Sequence, residues 1–125
     1  MTRFLDANVI VRAFTDNEDK EKCRHLLHED FITNTLCLVE AHHSICIITK
    51  NKIYASNCIK SLFKGNGTIV EQDKNLLFEA FKRTEKYNLN TFDLIHYATA
   101  LLNNCDEFIS YDEDFDDLEI KRVEP

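Results

Sequence analysis

Short apolar runs alternate with longer stretches of helical spacing along nearly the whole chain. Phe4 and Leu5 predict a first strand over residues 2–6, and Val9, Ile10 and Val11 a helix over 8–14 that Asn8 would cap. Asp16 to Asp19 reads as a polar turn. Lys20 to Glu29 then predicts a helix with Cys23, Leu26 and Leu27 on one face. Phe31 and Ile32 suit a very short second strand. After Thr35 a long, largely buried helix runs to Lys50, with Leu36, Val39, His43, Cys46 and Ile47 as its apolar stripe and Glu40 at the edge of that stripe.

Ile53 to Phe63 predicts a further helix, ended by Lys64-Gly65-Asn66-Gly67, and Thr68 to Val70 a third strand. Leu76, Leu77, Ala80, Phe81 and Tyr87 mark an amphipathic helix. Thr91 suits the N-cap of the helix FDLIHYATALLN, with Asp93 in its first turn, where the helix dipole favours a negative side chain. Phe108 and Ile109 form a fourth strand, SYDEDFDDL an acidic turn, and Ile120 to Val123 a last strand. Helices alternating with short apolar strands argue for a parallel sheet covered on both faces.

The 125 residues, 44% of them hydrophobic with two Gly and one Pro, suit one domain, residues 1–125, with a core that needs no disulfide. The five cysteines are far apart and form no C-x-x-C pair, which reads as reduced, mostly buried thiols in a cytoplasmic protein. No signal peptide is expected, and no apolar run approaches the roughly 20 residues of a membrane span. A formal charge of -7 argues against a broad basic surface for nucleic acid. If the carboxylates are gathered around a divalent cation, however, that excess is local.

The acidic residues at strand-to-helix junctions carry the chemistry. Asp6 sits where a buried strand hands over to a helix, an expensive place for a charge unless a metal ion, a cationic partner or backbone N–H donors compensate it. In parallel sheets, ligands bind beyond the carboxyl ends of the strands where the strand order reverses. Asp112 follows the fourth strand, Asp93 opens a helix that begins on the same edge, and Glu40 can lean in from the side. Four carboxylates without matching Lys or Arg repel one another, and a hard divalent cation such as Mg2+ or Mn2+ removes that cost. Such sites serve phosphoryl transfer, so the residues point to a metal-dependent phosphodiester hydrolase.

FLDANVIVRAF, LVEAHH, FDLIHYATAL and ISYDEDFDDL, in that order, resemble the motifs of the PIN domain family, and within it the VapC-type toxin ribonucleases of toxin–antitoxin pairs. The resemblance covers nearly the whole chain. It implies a three-layer α/β/α fold with a short, mostly parallel central sheet. It also implies an endoribonuclease in which Asp6, Glu40, Asp93 and Asp112 surround Mg2+ or Mn2+ with Asp114 as helper, and in-line attack of water on an RNA phosphodiester. Ser110 would orient a carboxylate or the metal's water, and Asn8 would hold the first turn. The implied partners are RNA, a small antitoxin and a second copy of the chain, with no membrane. His42-His43 departs from the apolar or aromatic residues usual after the glutamate.

Each residue also has a plainer use. Asp6 can merely cap its helix, Asp93 can be an ordinary first-turn aspartate, Glu40 an exposed helix residue, and the Asp112–Asp117 run a solvated turn. His42 and His43, adjacent on a helix, point about 100° apart and cannot share one site. His96 reads as a packed, hydrogen-bonded histidine that can also donate to a carboxylate or phosphate, and His25 and His28 as surface residues. Arg12 is placed to meet substrate or a partner's acidic group. Rival functions are a PIN nuclease of RNA processing, a non-catalytic binding module with a PIN fold, and an aspartyl-phosphate phosphatase. The last is disfavoured because Asn8 stands where D-x-D needs its second aspartate.

Overall fold

The computed structural model describes all residues, Met1 to Pro125. Its strands are β1 (Arg3–Leu5), β2 (Phe31–Asn34), β3 (Gly67–Val70), β4 (Glu107–Ile109) and β5 (Lys121–Val123). Its helices are α1 (Ala7–Ala13), α2 (Lys20–Leu27), α3 (Thr35–Thr49), α4 (Lys52–Leu62), α5 (Lys74–Lys82) and α6 (Thr91–Leu102), with one 3-10 turn at Glu113–Phe115. The sheet order is β3-β2-β1-β4-β5, and every neighbouring pair is parallel. The expected mostly parallel sheet is thus parallel throughout.

Alternation along these three- and four-residue strands builds a core on each face. Phe4 and Phe108 turn to the larger core, which α3 to α6 cover, while Leu5, Phe31 and Ile109 turn to a smaller one with Val9, Ala13 and Cys23 of α1 and α2. On the larger side Phe4 stacks on Phe108 at 4.9 Å between ring centroids, and Phe115 closes on Phe108 at 4.2 Å. Gly67 is required where β3 opens: it pairs with Phe31 of β2, and a Cβ there would fall 2.2 Å from the Phe31 ring. All five cysteines are free and four are buried, as their spacing predicts.

Sequence order runs outward from β1 to β3 on one side and through β4 to β5 on the other, so the order reverses between β1 and β4. Asp6 lies just beyond β1 and Ser110 just beyond β4 at that reversal.

Several local expectations are corrected. Asp6, not Asn8, is the N-cap of α1; its carboxylate accepts from the Ala7 N–H, and the helix starts one residue earlier than the apolar run implies. Asn90, rather than Thr91, caps α6, and Asn34 caps α3, each accepting from the N–H three residues on. Tyr87 lies beyond the end of α5, although it is buried, and Phe81 is exposed. The largest correction concerns α3. Its buried residues are Cys37, Leu38, Ala41 and Ile45, whereas Val39 and Ile47 of the expected stripe are 65% and 61% exposed and His43 is also exposed.

Candidate active site

A cavity of about 550 Å3 opens at the β1/β4 reversal, and its lining includes Asp6, Asn8, Arg12, Glu40, Asp93 and Asp112. The four carboxylates singled out in the sequence therefore meet in one place. Asp114 is exposed and does not line the cavity, yet its carboxylate lies within 4.8 Å of those of Asp93 and Asp112.

Each carboxylate is oriented by a different device. Asp6, 5% exposed, accepts the Ala7 N–H at 2.8 Å on one oxygen and the Ser110 hydroxyl at 2.7 Å on the other. Ser110 in turn accepts from the Asp112 N–H at 3.0 Å and from Asn8 Nδ2 at 3.2 Å. Asn8 Oδ1 takes the Tyr111 N–H at 3.3 Å, so Asn8 and Ser110 together tie the start of α1 to the end of β4. Asp93 is held by Asn90, whose Oδ1 accepts the Asp93 N–H and whose Nδ2 donates to Asp93 Oδ2 at 3.0 Å. Asp112 Oδ1 accepts the Asp114 N–H at 2.9 Å, which shapes the 3-10 turn. Glu40 receives His96 Nε2 at 2.8 Å.

The charges are not balanced from within. The one basic residue at ion-pair distance from any of the four carboxylates is His96. Arg12 lines the cavity but is drawn to Asp19 at 3.6 Å and lies over the Tyr111 ring at 4.1 Å, while the Tyr111 hydroxyl donates to Asp19 at 2.8 Å. Burial, and then the charges of Asp6 and Asp112, push the Asp93 pKa up to about 6. Burial likewise raises that of Asp6, against the hydrogen bonds that favour its anion.

The donor set is oxygen only. Both ring nitrogens of His96 are occupied by protein groups, and Cys37, wholly enclosed, is kept a thiol by its burial. Asp6, Cys37 and His96 lie close together, but their polar atoms are spent on one another and on neighbours rather than open to an ion. Carboxylate oxygens gathered without a protein cation fit a hard divalent cation with part of its water shell, such as Mg2+ or Mn2+.

His96 is fully buried and hydrogen-bonded, as expected, whereas His42 is tied to Ser56 at 2.9 Å on the far side of α3 from this network. Sequence reasoning missed Asn34, Asn90, Thr99 and Tyr111. For the two asparagines a signal was present, since each stands at the end of an extended segment before a helix; for Thr99 and Tyr111 there was none.

A wholly parallel α/β sheet with carboxylates assembled at its order reversal places the chain among α/β proteins that present an acidic site beyond the carboxyl ends of their strands. The family model for the PIN domain matches residues 3–121, and this chain belongs to the PIN domain family. No curated protein matches it by sequence. Among solved structures it resembles VapC20 of Mycobacterium tuberculosis, described as a sarcin-ricin loop cleaving toxin, with a TM-score of 0.80 and 12% identity over 98% of this chain and 99% of the other. A toxin–antitoxin complex from Klebsiella pneumoniae matches with a TM-score of 0.76 and 15% identity, covering 97% and 95% of the two chains. VapBC2 from Rickettsia felis, bound to a DNA fragment from its promoter, matches with a TM-score of 0.73 and 16% identity over 99% and 98%.

Proposed function

We propose that this chain is a divalent-metal-dependent endoribonuclease and the toxin of a type II toxin–antitoxin pair. The observation that carries the reading is the meeting of Asp6, Glu40, Asp93 and Asp112 in one cavity with no lysine or arginine paired to them. Membership of the PIN family and the likeness to toxins of such pairs support it.

Asp6, Glu40, Asp93 and Asp112 hold the cation, with Asp114 assisting from the rim. A bound Mg2+ or Mn2+ supplies an acidified water and neutralises charge building on the phosphate. The chain's own part is to orient and to exclude. Ser110 and the Ala7 N–H fix Asp6 with its charge aimed into the cavity, Asn90 fixes Asp93, and Asn8 keeps the two strand ends at constant separation. Arg12, held over Tyr111, offers its remaining N–H donors to a neighbouring RNA phosphate or to an acidic group of the antitoxin. The charge of -7 lies partly in this cavity, which is how an acidic protein can accept a polyanion once the cation is in place.

The antitoxin is the proposed inhibitor, and the open apolar faces of α3 and α4, with Val39, Ile47 and Ile53 exposed and Phe63 exposed just past the end of α4, suit a homodimer. No helix is long and apolar enough to cross a membrane.

The test is cleavage of an end-labelled RNA pool by antitoxin-free protein in Mn2+, in EDTA, and by Asp93→Asn in Mn2+. Cleavage by the wild type in Mn2+ alone is expected. RNA left intact by folded wild-type protein in both Mg2+ and Mn2+ would turn the reading to a PIN-fold binding module.

A further inference from the structure

We propose that His96 is a positioning residue: its ring, turned by Asn34 and Thr99 so that Nε2–H faces Glu40, aims that carboxylate at the cation. The inference rests on the metal site proposed above but is drawn from the direction of hydrogen bonds behind it. Asn34, His96 and Thr99 are all fully buried, so each proton in the chain has to be placed.

The chain can be read in one direction only. The Thr99 hydroxyl donates to the Ile95 carbonyl at 2.8 Å, which spends its single proton. Its oxygen lies 3.0 Å from the Asn34 amide and therefore accepts from Asn34 Nδ2. Asn34 Oδ1 is the cap of α3, accepting the Cys37 N–H at 2.7 Å. Turning the amide over would lose that cap and set oxygen against oxygen at Thr99. With Nδ2 so fixed, its second proton points to His96 Nδ1 at 3.0 Å, which must be a lone pair. The ring proton is thus on Nε2, donated to Glu40 Oε1 at 2.8 Å.

Glu40 has no other side-chain partner, and its second oxygen is left for the cavity. The Nε2–H donor fixes one oxygen of this carboxylate and thereby sets where the other points.

Two measurements test this. Long-range proton–nitrogen NMR of the metal-free protein should find a proton on His96 Nε2, shared with Glu40; a bare Nε2 with the proton on Nδ1 alone overturns the proposal. Calorimetric Mn2+ titration should show His96→Ala and Glu40→Gln each weakening binding about 10- to 100-fold, with the double variant no weaker than Glu40→Gln alone. Additive losses would mean that His96 acts through general packing, and the positioning role falls. Asn34→Asp serves if His96→Ala does not fold: it keeps an acceptor for the Cys37 N–H but removes the donor to Nδ1. Losing the donor that holds the ring should weaken Mn2+ binding about tenfold, and unchanged affinity contradicts the proposal. Absence of Mn2+ binding by the wild type would sink the metal-site reading itself, and the tautomer found by NMR separates that failure from this one.

Discussion

The two ends of the sheet treat acidic residues in opposite ways. At the amino end of β1, Arg3 pairs with Glu29 at 2.6 Å and with Glu107, its neighbour on β4, at 3.5 Å. The carboxylates there are matched by a protein cation and need nothing further. At the carboxyl end of the same two strands, Asp6 and Asp112 join Glu40 and Asp93 with hydrogen-bond donors but no lysine or arginine partner. Donors fix where such oxygens point without cancelling their charge. One end is closed electrostatically by the fold, and the other is left for a cation from solution. That contrast, rather than the number of acidic residues, separates a ligand site from a solvated acidic surface.

The largest effect expected is on catalysis. Asp93→Asn should lower RNA cleavage on the order of 10³-fold, several kcal/mol of transition-state stabilisation, whereas Glu107→Gln at the other end should change it by about twofold at most, in a single-turnover assay. Next is metal-linked stability. Mn2+ at 100 times its dissociation constant should stabilise the wild type by about 2.7 kcal/mol in thermal unfolding, and the same increment should appear in Glu107→Gln but shrink in Asp93→Asn.

Arg3→Met should cost about 1 kcal/mol in denaturant unfolding, because two partly exposed carboxylates lose their cation, with metal binding unchanged. Last and smallest is a pH effect on the metal-free protein. Asp93 binds its proton more tightly folded than unfolded, so stability should fall as pH rises from about 4, the unfolded pKa, to about 6, and level off above that. Asp93→Asn should remove this slope and, after allowance for solvent screening, stabilise the metal-free protein at pH 7 by about 1 kcal/mol or less.

The sequence carried the alternation of elements, and with it Asp6 and Asp112 just after apolar runs, because these depend on local pattern; Glu40, inside a helix, and Asp93, an ordinary first-turn residue by position, were legible through the family resemblance of LVEAHH and FDLIHYATAL. It did not carry the orientation of α3. That helix is apolar around most of its circumference, so periodicity selects no face: the stripe through Val39 and Ile47 is exposed, and Leu38, Ala41 and Ile45 are the residues that pack. Asp6 illustrates two uses of one residue, since capping α1 and facing the cavity employ the same carboxylate. Ser110 and His96 are legible as supporting residues, but their partners are not, because they are joined across the fold: Ser110 meets Asp6 over 104 positions, His96 meets Glu40 over 56, and the unforeseen Tyr111 meets Asp19 over 92. No local spacing encodes those meetings.

The most direct test of the contrast between the two ends is a calorimetric titration of Mn2+ into metal-free wild type, Asp93→Asn and Glu107→Gln. Saturable binding to the wild type and to Glu107→Gln with equal affinity is expected, with at least about tenfold weaker binding to Asp93→Asn. Equal binding to all three proteins, or none to the folded wild type, would contradict that contrast.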